Sequence, residues 1–153
     1  AQELYAALPY SGSYCLTTLL CAADRKRQID EIRARLHDGR PCRVVSTSLI
    51  EAGVDVDFPV AYREQCGLDS LLQTAGRCNR EGRNEPADSL VYRFRLDGQA
   101  APQMLAQNIS AMNYAARRHT DLSSPEAIKA YFNELFNLRS PDLLDKKHIL
   151  SMI

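Results

Sequence analysis

The fold is decided by a β-branched run and the polar loop behind it, Arg43-Val44-Val45-Ser46-Thr47-Ser48-Leu49-Ile50-Glu51-Ala52-Gly53-Val54-Asp55. β-Branched residues favour strands, so residues 42–49 are predicted to form a buried strand. Ligands of open α/β sheets bind beyond the carboxyl ends of strands, where Thr47 offers a hydroxyl and Asp55 a carboxylate. Gly53 permits a positive φ or a close backbone approach. The alternative interpretation is an ordinary turn with polar residues.

Residue patterns on both sides of this run predict an alternation of strands and helices. Such alternation is typical of the α/β class, in which crossover helices join the strands of a parallel sheet. From Pro102 onward the pattern becomes helical, so we expect an α/β part over residues 1–97 and a helical tail over residues 98–153. The predicted strands are 14–20, 42–49, 59–63 and 89–96, and the predicted helices are 2–8, 24–36, 68–80, 104–118, 125–138 and 141–152.

Composition excludes several classes of protein. The 153 residues are 45% hydrophobic and 25% charged, which indicates one globular domain and argues against wholesale disorder. Nineteen Lys and Arg balance nineteen Asp and Glu, which disfavours a purely electrostatic nucleic-acid binder but not a local basic face. The five cysteines lack CxxC spacing, so a zinc knuckle is disfavoured and reduced thiols of a cytosolic protein are expected. No apolar run is long enough to predict a membrane span.

A second motif, Gln73-Thr74-Ala75-Gly76-Arg77-Cys78-Asn79-Arg80, carries the strongest chemical signal. On a continuous helix Gln73, Arg77 and Arg80 would share one face. Two arginines on one face repel each other unless they share an anion, and a triphosphate is such an anion. Glycine in a helix costs up to about 1 kcal/mol relative to alanine, so a close backbone or ligand would explain Gly76. The alternative is a solvated, salt-bridged helix face.

Two further features allow a nucleic-acid interpretation beside a structural one. The basic residues between Arg25 and Arg35 could face DNA, but the interleaved Asp30 and Glu31 favour a solvated helix face. The pairs Tyr131-Phe132 and Leu135-Phe136 could stack on bases, but their helical spacing favours core packing.

Together the two motifs resemble the fifth and sixth motifs of superfamily-two helicases, Thr-(x)5-Gly-hydrophobic-Asp over 47–55 and Gln-x-x-Gly-Arg-x-x-Arg over 73–80. The surrounding sequence, notably 45–59 and 62–70, is similar to the CRISPR-associated helicase-nuclease of type I interference systems. The segment Leu16-Thr17-Thr18-Leu19-Leu20-Cys21 resembles the Leu-Ser-Thr-x-Leu-Cys of that family, although Cys15 precedes it where the family usually has His. The resemblance implies the RecA-like fold of a helicase C-terminal lobe with a parallel sheet, followed by a helical tail.

The resemblance also implies roles for individual residues. Arg80 would be the arginine finger that reaches the γ-phosphate of ATP, while Arg77 would support the same anion or bridge two lobes. Gln73 would orient water or phosphate. Asp55, with Gly53, would contact the nucleotide or couple its state to DNA. The DNA-binding residues would be Thr18 and Thr47, which would hold backbone phosphates of a single strand without reading its sequence.

The cofactors and partners implied by the resemblance lie mostly outside this sequence. ATP and Mg²⁺ would be bound mainly by a first RecA-like lobe, joined in the parent chain by a His-Asp nuclease domain. The partners would be single-stranded DNA and an RNA-guided surveillance complex, in cytoplasmic antiviral defence. The sequence contains no Gly-x-x-x-x-Gly-Lys-Ser/Thr phosphate loop and no metal-binding motif.

We therefore expect an incomplete lobe that lacks its first strand and that, as an isolated fragment, does not hydrolyse ATP. Two alternatives stay open at this point. The first is the same lobe of another superfamily-two DNA or RNA helicase. The second is a non-hydrolytic nucleic-acid-binding module.

Overall fold

A computed structural model describes residues 1–50, 54–98 and 100–139. Strands and α-helices alternate as far as residue 94, except that only a short 3₁₀ helix (Ser48–Ile50) is described between the second and third strands. Two long helices follow, and this arrangement confirms the α/β class. The predicted helix over 141–152 lies outside the described residues. The elements are α1 (Gln2–Ala6), β1 (Ser13–Leu16), α2 (Ala22–His37), β2 (Arg43–Ser46), β3 (Ala61–Glu64), α3 (Leu68–Ala75), β4 (Val91–Phe94), α4 (Ala106–Ala116) and α5 (Pro125–Leu138).

The chain divides into two compact units, one made of residues 1–61 and 73–91 and the other of residues 62–72 and 92–153. The expected boundary near Asp97 stays a prediction. Among the described residues, no helix is both long and apolar enough to cross a membrane.

In the first unit, β1 and β2 pair in parallel with Leu16 opposite Ser46. Leu16 and Ile32 of α2 are fully buried and form a core with Val54 and Val56. Strand β1 is shorter than predicted, because the chain turns after Leu16 and Leu20 N donates to Thr17 O at 3.2 Å. Because the two strands run in the same direction, their carboxyl ends lie at one edge of the sheet.

Strands β3 and β4 form a second two-stranded sheet. Ala61 N donates to Leu90 O at 3.2 Å, and Gln65 N donates to Phe94 O at 3.0 Å. Both partners advance by four residues between the two bonds, so these strands are also parallel, as the crossover pattern predicts.

The second unit is built on α4 and α5, whose contact buries Met112, Tyr131 and Leu135 together with Leu68 of α3. Helix α5 has the predicted bounds, because Ser124 caps it by accepting a hydrogen bond from Ala127 N at 3.2 Å and Pro125 suits its first turn. Burial of Tyr131 and Leu135 favours core packing for these two residues, whereas Phe132 and Phe136 are 38% and 49% exposed and do not belong to the core.

A polar cluster, here called the tyrosine cluster, consists of Asp69, Asn108 and Tyr131 and lies at the border of this second core, with Tyr131 buried, Asn108 half-buried and Asp69 exposed. The Tyr131 hydroxyl donates to Asp69 Oδ1 at 2.7 Å, and Asn108 Nδ2 donates to the Tyr131 oxygen at 3.0 Å. Burial, together with the hydrogen bond to Asp69, raises the pKa of Tyr131. Gly67 leaves the space for this cluster, since a Cβ there would collide with both the Tyr131 hydroxyl and the Asp69 carboxylate.

Candidate nucleotide and nucleic-acid site

The second motif does not lie on one continuous helix, so the prediction of a helix over 68–80 is wrong at its carboxyl end. Helix α3 ends at Ala75, and Gly76 follows it. The chain instead pairs with Phe58, whose N donates to Arg77 O and whose O accepts from Asn79 N, each at 2.9 Å. These bonds use backbone groups that a helix would need, so Gln73, Arg77 and Arg80 do not share one helix face.

The residues after the helix, 76–81, form a loop that we call the motif-six loop. Asn79 has a φ of +49°, a left-handed conformation that Asn tolerates better than most residues other than Gly. Its amide Nδ2 donates to Asn84 O at 2.7 Å, and Asn84 N donates back to Asn79 Oδ1 at 2.9 Å. This reciprocal pair closes a turn over residues 80–83, which contains Arg80.

Arg80 is held by two carboxylates, Asp55 of the first motif and Asp57 just after that motif. Its guanidinium Nη1 is ion-paired with Asp55 Oδ1. Its backbone N donates to Asp57 Oδ1 at 2.7 Å, and Glu81 N donates to Asp57 Oδ2 at 3.3 Å. The structure therefore brings together two of the predicted site residues, Arg80 and Asp55, which are 25 positions apart in the sequence.

The two carboxylates reach Arg80 because residues 54–57 alternate between buried and solvent-facing positions. Val54 and Val56 are only 6% and 4% exposed, whereas Asp55 is exposed and Asp57 is half-buried. A period of two places the aspartates on the same side of an extended segment. Arg33 of α2 fixes this segment further by donating from Nε to Asp55 O at 2.8 Å.

The Asp55 and Arg80 side chains stay accessible to solvent. The Arg80 side chain is 47% exposed and the Asp55 side chain 74%. An ion pair with this exposure stabilises a protein by only about 0–1 kcal/mol, so another anion can replace the carboxylate at little cost.

The two predicted DNA-binding threonines follow the carboxyl ends of adjacent strands. Thr47 comes directly after β2, and its backbone N donates to Leu16 O, the last residue of β1, at 3.2 Å. Thr18 lies two residues after the end of β1, and both threonines are exposed. Ser46 Oγ also donates to Leu16 O at 3.1 Å, which holds the two strand ends together.

The remaining predicted site residues are Gln73, Arg77 and Gly53. Gln73 is exposed in the last turn of α3, and Arg77 is half-buried beyond the end of that helix. Gly53 lies outside the described residues, so its predicted role stays a prediction.

The basic helix α2 carries ion pairs within its own surface. Arg27 bonds Asp24 at 3.3 Å and Glu31 at 2.9 Å, and Arg33 lies 3.7 Å from Asp30. These i,i+3 and i,i+4 pairs favour the solvated-face interpretation over a DNA face. Across the described ranges, no group of three or more His, Cys, Asp or Glu side chains is placed to hold a metal ion.

Sequence reasoning missed the parts played by Asp57 and Asn79. Asp57 receives no role from the motif pattern, yet it accepts two backbone hydrogen bonds in the motif-six loop. The charge of Asp57 also acts on Cys78, since burial first and then this carboxylate raise the pKa of the thiol. The alternation Val54-Asp55-Val56-Asp57 was the available signal, because it places both carboxylates on one side.

The fold, with its short parallel strands and their helices, is of the α/β class and consistent with a RecA-like lobe. Residues 1–83 match the family model of the CRISPR-associated nuclease/helicase Cas3, C-terminal. This match covers more than half of the chain, so the chain belongs to that family. The first 50 described residues and the motifs around Asp55 and Arg80 all lie within the match.

Relatives support the same assignment. A CRISPR-associated nuclease/helicase Cas3 of Methanothermobacter thermautotrophicus is 37% identical over 75 residues, which are 49% of this chain and 9% of that protein. A Cas3 of Haloferax volcanii is 49% identical over 47 residues, 29% of this chain and 5% of that protein. The crystal structure of T. fusca Cas3-ATP is similar with a TM-score of 0.62 at 19% identity, over 99% of this chain and 20% of that one.

The likeness to the T. fusca structure shows the fold. The match covers only one fifth of the T. fusca chain, and the matched segments cover less than one tenth of the two curated relatives.

Proposed function

We propose that this chain supplies the second motor lobe of an ATP-driven translocase that moves along single-stranded DNA in CRISPR interference. In this proposal Arg80 is the arginine finger. The observation that carries the proposal is the solvent-accessible guanidinium of Arg80, whose backbone is fixed by Asp57. Among the contacts described above, a phosphate would have to displace only the exposed ion pair with Asp55 to bind this guanidinium.

Phosphoryl transfer places demands that this geometry meets. Charge builds on the phosphate oxygens in the transition state, and a preorganised guanidinium stabilises that charge without reorganising at the moment of reaction. The phosphates of ATP would replace the Asp55 carboxylate, because a polyanion attracts the guanidinium more strongly than one exposed carboxylate does. Arg77 and Gln73 would act beside it, on the same anion or on the attacking water.

ATP and Mg²⁺ would be held mainly by the first RecA-like lobe and the triphosphate itself. The groups of this chain suited to the nucleotide are Arg77 and Arg80, because guanidinium groups bind phosphate oxygens. The chain would thus contribute charge stabilisation to a nucleotide bound elsewhere, in a cytoplasmic protein recruited by an RNA-guided complex.

The DNA contacts would come from the two threonines that follow the carboxyl ends of β1 and β2. Thr18 and Thr47 present hydroxyls beyond two adjacent strand ends, and hydroxyls bind phosphate oxygens without reading bases. A motor needs such sequence-independent contacts because it must move over any sequence.

The test is the Arg80→Ala substitution in a full-length protein that contains this segment beside a first lobe. We expect DNA-stimulated ATP turnover to fall by roughly 10³-fold or more while ATP binding persists, because the finger acts in the transition state. Arg83→Ala is the matched control, since Arg83 lies three residues further on and pairs with Glu81. Wild-type turnover in Arg80→Ala would refute the assignment. For the DNA contacts, Thr47→Val should raise the DNA concentration needed for half-maximal stimulation of ATP turnover.

A further inference from the structure

We infer that Asp57 is a positioning residue for Arg80, an inference that rests on the function proposed above. The Asp57 carboxylate accepts from the backbone N–H groups of both Arg80 and Glu81, at 2.7 Å and 3.3 Å. It therefore fixes the backbone of the motif-six loop without touching the guanidinium that would act on phosphate.

The two aspartates divide the task of holding Arg80. Asp55 pairs with the side chain, and this contact must open when the guanidinium moves to another anion. Asp57 binds main-chain groups that do not need to move during that exchange. The Asp57 contacts are therefore the ones suited to persist while the guanidinium changes its partner.

The rest of the loop supports the same division. The bridge between Phe58 and Cys78 places Asp57 immediately beside the paired backbone, so the carboxylate cannot shift far from the loop. The left-handed turn at Asn79 directs the N–H groups of the next two residues toward Asp57. A loop built in this way loses little conformational entropy when its arginine engages a phosphate, and that preorganisation raises the rate of the chemical step.

The experiment uses the full-length protein that contains this segment and compares Asp57→Ala, Arg80→Ala and the double variant. We expect Asp57→Ala to lower kcat by roughly tenfold to a hundredfold, since a misplaced catalytic group costs about that much, with KM for ATP changed by less than about threefold. In the Arg80→Ala background the same substitution should change kcat by less than about twofold, because its effect passes through Arg80.

A second measurement reports on the backbone directly. Amide hydrogen exchange of the peptide that contains Arg80 and Glu81 should become about tenfold faster or more in Asp57→Ala, because hydrogen bonds to a charged acceptor protect these amides. Asp57→Asn should show an intermediate change, since its amide oxygen can accept only one of the two bonds well. This variant preserves shape and keeps the test valid if Asp57→Ala does not fold. Asp88→Ala, an exposed carboxylate of the same unit, is the control.

The outcomes separate this inference from the proposed function. If Arg80→Ala loses turnover and Asp57→Ala keeps it, or if the two losses multiply, the positioning role is overturned and the finger stands. If Arg80→Ala keeps turnover, both are overturned. Unchanged amide exchange in both Asp57 variants would also overturn the positioning role.

Discussion

Carboxylates hold the chain in two places, and the two places differ in how much solvent reaches them. In the first unit, Asp55 and Asp57 bind the motif-six loop at the surface, and the Asp55–Arg80 ion pair is open to water. In the second unit, Asp69 is exposed as well, but Tyr131, its partner in the tyrosine cluster, is 0% exposed and their hydrogen bond is partly buried. A buried polar contact is costly to break, whereas an exposed one exchanges partners readily. The first arrangement suits a ligand site and the second suits a core.

The largest effect is expected from removing the centre of the tyrosine cluster. Tyr131→Ala should destabilise the protein by about 3–5 kcal/mol, because it opens a large cavity and leaves Asp69 and Asn108 without their shared partner. Urea denaturation measures this change. Tyr131→Phe is the control that keeps the ring, and it should cost about 1–3 kcal/mol for the two lost hydrogen bonds. Equal stability of the Tyr131→Phe variant and the wild type would mean that the two hydrogen bonds contribute nothing to the free energy of unfolding.

Tyr131 is also expected to make the stability of the protein depend on pH, and this effect is smaller than that of removing its side chain. The folded protein raises the pKa of Tyr131 above its ordinary value near 10. The unfolded phenol therefore loses its proton first as pH rises, and the stability that Tyr131 contributes, fully present below about pH 10, declines above it by at most about 1.4 kcal/mol per pH unit. Denaturation between pH 8 and pH 11 checks this sign. Tyr131→Phe should show a shallower decline, and an identical slope would contradict the prediction.

The difference between the two places also explains what the sequence could predict. Helix α5 was predicted with its observed bounds, because its start depends on Ser124 and Pro125, which are neighbours in the chain. Local capping of this kind is visible in any sequence. The core character of Tyr131 followed from helical spacing in the same way.

The end of α3 was not predictable by the same means. It is set by hydrogen bonds between Phe58 and the backbone of Arg77 and Asn79, about twenty residues apart in sequence. Gly76 directly after Ala75 is a local signal for a helix end, but the helical pattern of side chains continues past it, and nothing local shows that these backbone groups pair with Phe58. The part of Asp57 was hidden for a related reason, since its partners are main-chain N–H groups, which every residue except proline has and which no sequence motif displays.

The smallest effect on stability is expected at the exposed contact. Asp55→Asn should change the free energy of unfolding by less than about 1 kcal/mol, because the ion pair with Arg80 is open to solvent and gains little over hydration. The same substitution should nevertheless change ATP turnover in the full-length protein, since it alters what competes with phosphate for the guanidinium. Tyr131→Phe is expected to do the reverse, with a clear loss of stability and little change in kcat. Denaturation and steady-state kinetics on both variants should therefore show a change mainly in turnover for Asp55→Asn and mainly in stability for Tyr131→Phe. A large stability loss in Asp55→Asn would show that the surface contact also maintains the fold, and the contrast between the two places would then fail.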